Sequence, residues 1–427
     1  MMKRAFTFTL SGLALLLCLP VITGVSAQGR RPSQAWRQVQ EQEKKLLETF
    51  DNDLNSGKAQ PFDRDERMEE LKAFAAERAA QFKAADWKGE ELLALATLCR
   101  MAEMFPRAVE AYRALLAQEP RAARDPNVMA SLTRALIETE QFAEAEKQLD
   151  RMERIAARNP LATVSRVALH RDLAIALRDQ GNHESAAYQA GKGYHLADSF
   201  LSSRDDYPQL SETVQRDQMI LAALAVASFE RAGKQKEAND LARLIEKYDF
   251  KQLPALKVRY ETELTSARLI GGSAPELVAA RWLDSNGMNL ADLRGKVTLL
   301  DFWAMWCSAC LAAYPHYRDY QAKYGARGFE AISVTRFFGR SDSQDNLSRD
   351  QELKSLQSFK LKNKMTWPIA VAKIDDLTND DRYGVAAMPT VVLIDRRGNV
   401  RHIKRGTGDY RKFAKQIERL LDDNDGK

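Results

Sequence analysis

Two cysteines, Cys307 and Cys310, are separated by two residues in the second half of this 427-residue chain. An apolar run at 297–300 leads into them, and the glycine-free segment 311–323 that follows is predicted to be a helix. A strand that leads into a Cys-x-x-Cys pair at the start of a helix is typical of a dithiol that is oxidised and reduced reversibly. The alternative interpretation is a purely structural disulfide.

Disulfide exchange requires a thiolate at neutral pH, where a free cysteine is mostly protonated. At the start of a helix, Cys307 would have a lowered pKa because of the helix dipole and the unpaired N–H groups. Cys310, one turn later, would be close enough to attack the mixed disulfide that Cys307 forms. We therefore predict that Cys307 attacks the partner and that Cys310 resolves the intermediate, with Trp306 and Trp303 shielding one side of the site.

Asp301 lies six residues before Cys307, at the end of an otherwise apolar strand. A carboxylate at such a position is unfavourable unless it is solvated or useful. If it is buried beneath the dithiol, its pKa would rise and it could take the proton of Cys310 as that thiol attacks. The alternative is an aspartate that faces water at the strand end.

Pro389 begins a strand in the stretch Ala387-Met388-Pro389-Thr390-Val391, where a cis peptide suits a tight turn. Such a loop beside the dithiol would expose the Met388 backbone for β-like pairing with the extended chain of a substrate. We therefore assign Met388 and Thr390, together with Trp306, to substrate binding, and Pro389 to the catalytic loop.

The N-terminus predicts export. Lys3 and Arg4 precede an apolar run at 10–22, and Val25-Ser26-Ala27 provides the small residues that signal peptidase requires. We predict a signal peptide at 1–27 and a periplasmic or other extracytoplasmic location. If the signal is not cleaved, the same segment would be a membrane anchor.

The remaining cysteines, Cys99, Cys307 and Cys310, are too few for a disulfide scaffold in a chain of this size. Cys99 lies on the apolar side of a helical pattern and is predicted to be buried, with a regulatory or intermolecular thiol as the alternative. No second Cys or His pair has zinc-site spacing, so the Cys307–Cys310 pair is the only redox centre expected, without metal or organic cofactor. The net charge of +5 and the lack of a basic cluster argue against nucleic acid binding.

Residues 28–85 are polar and predict two helices, at roughly 34–54 and 64–84. Residues 86–250 then repeat a helix–turn–helix pattern with apolar residues at i, i+3, i+4 and i+7. This region resembles tetratricopeptide repeats, although corresponding alanines are 37, 41 and 52 residues apart instead of 34: Ala108, Ala145, Ala186 and Ala238. Longer loops or an extra helix at 201–213 would absorb the surplus, and a non-repeating helical bundle is the alternative.

A curved stack of such repeats would hold a peptide or partner protein on its concave face. A spacer or a dimerisation module fits the pattern equally well. Three histidines of this region share no metal-ligand spacing and are predicted to be ordinary surface or groove residues: His170, His183 and His195.

Residues 251–273 are predicted to be a linker, with a charged helix at 253–270 and a hinge at 271–273. Beyond it, in 274–427, apolar segments alternate with amphipathic helices, which predicts an α/β domain with a largely parallel sheet. The predicted strands are 297–301, 329–334, 369–371 and 390–395. A turn at 395–399 leads to a further strand, and Asp409 would cap a last helix at 410–421.

Short segments across the whole of 274–427 match one known pattern. They are Ala274-Pro275-Glu276-Leu277, Leu293-Arg294-Gly295-Lys296-Val297, Phe302-Trp303-Ala304, Trp306-Cys307-Ser308-Ala309-Cys310, Gly328-Phe329-Glu330, Trp367-Pro368, Tyr383-Gly384-Val385, Met388-Pro389-Thr390 and Ile394-Asp395-Arg396-Arg397-Gly398. Together they resemble the thioredoxin fold, and especially the TlpA/ResA-like exported thioredoxins.

The resemblance implies a thiol–disulfide oxidoreductase whose partners are protein thiols and disulfides, with a cis Pro389. Asp301 stands where thioredoxin has its buried aspartate. Ser308-Ala309 replaces the Gly-Pro of reducing members, Met388 is unusual before the proline, and 334–338 lacks the usual acidic strand end. These departures leave the direction open between reductase and oxidase.

Three rival functions make different demands on the sequence. A peroxiredoxin-type peroxidase would require Pro-x-x-x-Thr-x-x-Cys at Cys307, which is not present. A copper-handling relative would place three residues between the cysteines. The third rival is an interaction scaffold in which the thioredoxin-like domain is redox-silent.

Overall fold

The computed structural model describes residues 31–56, 58–59, 63–155, 159–202, 208–247, 254–285, 287–373, 377–408 and 410–423. The predicted signal peptide at 1–27 and the predicted cap Asp409 lie outside these residues. Among the described helices, none is long and apolar enough to cross a bilayer.

The first part of the chain is helical; each helix up to the tenth packs against its neighbours in sequence, whereas the eleventh packs against the ninth. Its described helices are α1 (Pro32–Asn55), α2 (Asp63–Ala79), α3 (Gly89–Met101), α4 (Phe105–Gln118), α5 (Pro126–Glu138), α6 (Phe142–Ile155), α7 (Pro160–Asp179), α8 (His183–Ser202), α9 (Pro208–Arg231), α10 (Gln235–Glu246) and α11 (Pro254–Leu269).

The irregular repeat spacing comes from helix length. The helices α7, α8 and α9 have 20, 20 and 24 residues, whereas α3 to α6 have 13 or 14. The expectation of an extra helix at 201–213 was wrong for the described part of that segment, which forms the end of α8 and the start of α9.

Cys99 is fully buried in the core formed by α1 to α8, as predicted from its helical pattern. Burial raises the pKa of its thiol to about 11, because the thiolate would lose its hydration there. Cys99 therefore stays protonated and unreactive as long as this core is closed.

Two glycines of α8 have opposite surroundings. At Gly193, where α7 and α9 approach α8 closely, an added Cβ would lie 2.8 Å from both His170 Cβ and Leu221 Cδ2. At Gly191 an added Cβ would meet no atom within 4 Å. Gly193 is therefore needed for helix packing, whereas Gly191 is not.

We expect Gly193→Ala to lower the free energy of unfolding of the helical region by about 1–3 kcal/mol through overpacking. Gly191→Ala is the matched control and should raise it by about 0.5–1 kcal/mol, because alanine is the better helix former. Urea unfolding followed by far-UV circular dichroism measures both. Equal effects of the two substitutions would contradict this packing.

The second part of the chain contains a six-stranded sheet of order β1-β4-β3-β2-β5-β6. The strands are β1 (Arg281–Leu283), β2 (Val297–Phe302), β3 (Phe329–Arg336), β4 (Ile369–Ala372), β5 (Thr390–Ile394) and β6 (Val400–Arg405). Among the pairs of described strands only β2–β3 and β3–β4 are parallel, so the prediction of a largely parallel sheet was wrong. The short turn at 395–399 forces β5 and β6 to be antiparallel, and β1 was not predicted.

Helices cover both faces of this sheet: α12 (Ser308–Leu311), α13 (Tyr314–Tyr324), α14 (Arg349–Lys362), α15 (Thr378–Tyr383) and α16 (Tyr410–Asp422). All six residues of β2 are buried, as expected for a central strand. Val297 and Leu299 pack in the core that contains α13, α14 and α16, whereas Leu300 and Phe302 pack in the core that contains Tyr383 of α15. This alternation places Asp301 on the α13 face.

The two parts are joined at β6, the edge strand. Arg405 of β6 donates hydrogen bonds to Glu263 Oε2 (3.0 Å) and to the carbonyl of Gly384 (3.1 Å), and it also contacts Ser266 of α11. The predicted hinge at 271–273 is itself bonded to the β5–β6 hairpin, since Gly271 N donates to Val400 O at 2.7 Å. The connection between the two parts is therefore packed and hydrogen-bonded.

A second contact between the two parts consists of exposed ion pairs along α16. Lys412 lies 3.0 Å from Glu138 of α5, Arg419 lies 3.2 Å from Glu140, and Arg411 pairs with Glu69 of α2. Exposed pairs of this kind contribute little each and are screened by salt.

Candidate active site

Cys307 and Cys310 form a disulfide at the N-terminus of α12. Cys307 is the N-cap residue, and its Sγ accepts a hydrogen bond from Cys310 N at 3.2 Å. Cys307 is 8% exposed and Cys310 is fully buried, while the neighbouring Trp306 is 39% exposed. Of the two cysteines, only Cys307 keeps any exposed surface for a partner to reach.

The helix after the dithiol is interrupted. Instead of one helix at 311–323 that Pro315 kinks, there is the single turn α12, then Ala312 and Ala313 in helical conformation, then α13. Pro315 lies in the first turn of α13, where its missing N–H group is not needed. The backbone bond from Ala313 N to Cys310 O (3.1 Å) keeps the two helices in line.

Asp301 is fully buried, so the alternative of an aspartate that faces water was wrong. Ser333 Oγ of β3 donates a hydrogen bond to Asp301 Oδ2 (3.1 Å), and Tyr317 Oη of α13 donates to Oδ1 (3.4 Å). Trp367 Nε1 in turn donates to Ser333 Oγ (2.8 Å). The carboxyl group thus has two neutral donors and no cation among its described hydrogen-bond and ion-pair partners.

This environment raises the pKa of Asp301 from 3.8 to about 7. The cause is the loss of hydration on burial, which the hydrogen bonds from Ser333 and Tyr317 only partly offset. A carboxyl group with such a pKa exchanges its proton readily near neutral pH, as proton transfer to or from a thiol requires.

The loop before β5 contains a cis peptide bond between Met388 and Pro389, the form that the resemblance implies. Met388 is partly buried and packs against the core cluster that contains both cysteines. Thr390 is fully buried, and its Oγ1 donates to Ala387 O at 2.6 Å. Thr390 thus holds the loop from inside, and of the three predicted substrate-binding residues only Trp306 and Met388 reach the surface.

An aromatic and basic wall beside Trp306 was not predicted. Phe338 packs edge-on against Trp306 with ring centroids 5.5 Å apart, and the Arg340 guanidinium lies 5.0 Å from the Trp306 ring. Glu352 of α14 fixes this loop, because its buried carboxylate accepts hydrogen bonds from Phe338 N (2.9 Å) and Gly339 N (2.8 Å). The only sequence signal was the pair Phe337-Phe338 at the strand end.

Comparisons with known proteins agree with this site. Residues 270–403 match the AhpC/TSA family. The thiol-disulfide oxidoreductase ResA of Geobacillus thermodenitrificans is 28% identical over 159 residues, which cover 37% of this chain and 82% of that protein. Protein DipZ of Mycobacterium bovis is 32% identical over 157 residues, which cover 36% of this chain but only 21% of DipZ.

Among solved structures, a thiol-disulfide isomerase from Corynebacterium glutamicum is 22% identical, with a TM-score of 0.31, and covers 35% of this chain and 98% of that one. All these similarities lie in the sheet-containing part. The protein is therefore a multidomain chain in which a mostly helical N-terminal region precedes a C-terminal thioredoxin-like domain.

Proposed function

We propose that this protein is an exported thiol–disulfide oxidoreductase that exchanges disulfides with protein partners through Cys307 and Cys310. The asymmetry of the dithiol is the observation that carries the proposal: Cys307 keeps 8% of its surface exposed, whereas Cys310 is fully buried. A structural disulfide has no need of one accessible sulfur, but exchange with a partner does.

With the site oxidised, a partner's thiolate attacks Cys307 Sγ. The Cys307–Cys310 bond breaks, a mixed disulfide forms at Cys307, and Cys310 leaves as a thiolate that takes up a proton. The partner's second thiolate then attacks its own sulfur in the mixed disulfide and releases Cys307. Two electrons pass from the partner to the protein, and the reverse sequence reduces a partner's disulfide.

Asp301 serves in this scheme as the proton reservoir for Cys310. Protonated, it gives a proton to the leaving thiolate, and ionised, it accepts the proton of Cys310 when that thiol attacks. The support is its burial on the α13 face and its raised pKa of about 7. Ser333, Tyr317 and Trp367 position its carboxyl group.

The helical region, which resembles tetratricopeptide repeats, would recruit or position the partner protein. Its exposed large apolar side chains support this role, notably Leu161 (65% exposed) and Tyr188 (59% exposed). Export is supported by the signal-like residues 1–27, and mass spectrometry of the mature protein would then give a chain that starts at Gln28. The alternative function is an interaction scaffold whose thioredoxin-like domain is redox-silent.

Reduction of insulin disulfides by dithiothreitol tests the proposal. We expect the wild-type protein to accelerate this reaction, and Cys307→Ala to reduce the rate to that of dithiothreitol alone. Cys310→Ala should accumulate a mixed disulfide with insulin through Cys307, visible on a non-reducing gel. Cys99→Ala is the matched control and should keep full activity, because Cys99 is buried away from the dithiol.

No acceleration by the wild-type protein, together with no trapped adduct in Cys310→Ala, would favour the scaffold instead. The Cys310→Ala trapping experiment also tests the recruitment role. Adding Leu161→Ser and Tyr188→Ser to Cys310→Ala should reduce capture of partners from an extract but leave insulin reduction by the Cys310-containing protein unchanged. Unchanged capture would exclude recruitment through these residues.

A further inference from the structure

The helical region contains a cavity of about 680 Å³ that the disulfide chemistry does not use. It lies among α7, α8, α9 and α10, and most of its wall is apolar, formed by Tyr188, Leu196, Phe229, Leu241 and Leu244. Tyr188 and Leu244 remain 59% and 44% exposed at this site. This volume and this lining are typical of sites for small organic molecules.

A buried guanidinium group, for which the described residues show no hydrogen bond, lines the same cavity. Arg166 of α7 is only 6% exposed, and its Nε has no hydrogen-bond partner among the described residues. Its one described ion pair is a loose contact with Glu153, 3.9 Å from Nη2, and Glu153 itself is 61% exposed. Buried charges are normally paired and hydrogen-bonded, so this arrangement points to an anionic ligand group.

The pKa of Arg166 supports this interpretation. Burial lowers it, and the nearby carboxylates of Glu153 and Asp150 do not offset the loss of hydration. The guanidinium still carries its charge at neutral pH, because arginine titrates far above that range. A ligand anion in the cavity would provide a counter-charge for this guanidinium.

The other charges in the cavity limit the ligand to a single negative charge. Lys192 is already paired with Asp150 at 3.0 Å, and Glu153, Glu237 and Asp240 add negative charge to the wall. These three carboxylates would repel a phosphate ester or a polyanion more strongly than a singly charged carboxylate. A monocarboxylate needs only the Arg166 guanidinium, whose one described ion pair is the loose contact with Glu153.

Two more residues describe the interior. His170, predicted to be an ordinary surface or groove residue, is buried in the wall, where its Nδ1 lies 2.9 Å from Gln189 Oε1, and burial lowers its pKa to about 4. Gly191 leaves space that any side chain would fill, since a Cβ there would meet no atom within 4 Å. The glycine keeps the cavity open without being needed for packing.

We propose that this cavity binds a small amphiphilic monocarboxylate, with its carboxylate on Arg166 and its apolar body among Tyr188, Phe229 and Leu241. A guanidinium binds a carboxylate through two parallel N–H bonds, which suits a buried site. The apolar body would cover the exposed side chains at the cavity. This site does not depend on the chemistry proposed for the dithiol, but it shares Tyr188 with the surface proposed for partner recruitment.

Calorimetric titration of the full-length protein with saturated monocarboxylates of six to twelve carbons tests the proposal. We expect one molecule bound per chain, with affinity that rises with chain length as more apolar surface is buried. Primary alcohols of the same length should bind at least about tenfold more weakly, because they lack the charge that pairs with Arg166. Equal affinity of acids and alcohols, or no binding of either, would overturn the proposal.

Four variants locate the site. Arg166→Met should weaken binding of dodecanoate at least about tenfold, whereas Arg154→Met, an exposed arginine of α6 that does not line the cavity, should not change it. Gly191→Phe should abolish binding by filling the cavity, whereas Gly191→Ala should reduce it far less. Retained binding in Arg166→Met or in Gly191→Phe would overturn the proposal.

Thermal unfolding checks that each variant is folded. If Arg166→Met fails to fold, Gly191→Phe decides the question alone, since its side chain enters open space. A titration with a peptide distinguishes a small acid from the other source of a carboxylate, the C-terminus of a peptide. An apolar pentapeptide is titrated once with a free C-terminus and once with an amidated one. If only the free form binds, and no monocarboxylate binds, the site recognises peptide C-termini and the small-molecule proposal is wrong.

Discussion

Asp301→Asn is expected to raise the free energy of unfolding of the thioredoxin-like domain by about 4 kcal/mol near pH 8. The pKa of this carboxyl group rises from 3.8 to about 7 on folding, and each pKa unit corresponds to about 1.4 kcal/mol. Above both values the folded protein must hold a buried, ionised carboxylate. Asparagine has a similar shape and keeps an oxygen that accepts hydrogen bonds from Ser333 and Tyr317, but it cannot ionise.

The pH dependence has a definite sign. Because the folded pKa is the higher one, the stability provided by the protonated carboxyl is complete below about pH 4 and is lost as the pH rises to about 7. The free energy of unfolding of the wild type should therefore lose this contribution as the pH rises from about 4 to about 7, whereas that of Asp301→Asn should not. Urea unfolding at a series of pH values, followed by tryptophan fluorescence, measures the difference.

Asp395→Asn is the matched control. Asp395 is also buried, but its Oδ1 accepts hydrogen bonds from Arg397 N (2.9 Å) and Asn399 N (2.8 Å), and its Oδ2 lies 3.1 Å from Arg401. We expect this substitution to lower stability instead. A stabilisation of similar size in both variants would show that the effect at Asp301 is not due to its raised pKa.

The stabilised variant should be the poorer catalyst. Without a group that exchanges a proton near pH 7, the attack and departure of Cys310 should slow by about a hundredfold, and the inflection near pH 7 should disappear from the rate profile. A gain in stability with a loss in rate is the pattern of a residue kept for function. An unchanged rate profile would exclude Asp301 as the proton reservoir.

Arg405→Met should separate the helical region from the thioredoxin-like domain. The guanidinium connects Glu263 and Ser266 of α11 with Gly384 O, and its loss leaves a half-buried Glu263 without this partner. We expect a loss of about 2 kcal/mol, less than for a fully buried pair because both side chains keep some contact with water. Limited proteolysis should then cut near 271–273 much faster than in the wild type.

Arg401→Met on the same strand is the control for this joint. Arg401 pairs with Asp395 inside the thioredoxin-like domain and has no described contact with α11. It should leave cleavage at 271–273 unchanged. Equal cleavage of both variants would show that Arg405 is not what holds the two parts together.

The sequence was most informative where a single pattern of apolar residues dominates a segment. Four predicted strands match β2, β3, β4 and β5 within two residues at each end, because buried strands form continuous apolar runs between turn residues. β1 has only three residues with one of them buried, so it carries no such run. Strand direction was missed because pairing depends on connections across the whole sheet.

The residues of the candidate site were likewise predicted only in part. Cys307, Cys310, Asp301 and Pro389 stood out because their residue types are unusual at their positions. Ser333, Trp367 and Glu352 did not, because their roles come from register and packing: Ser333 lies directly opposite Asp301 in the β2–β3 pairing. A serine within an apolar strand was the one signal that could have revealed this partner.

Cys99 gives the molecule a built-in reporter of a different kind. Its thiol is fully buried in the α1–α8 core, far from the conditions in which a thiol reacts, while Cys307 at the active site keeps some exposed surface. A thiol reagent would label the dithiol quickly and Cys99 only when the helical core opens. Within the described part of the chain, one labelling time course thus follows the reduction of the active-site disulfide and the local opening of the helical region separately.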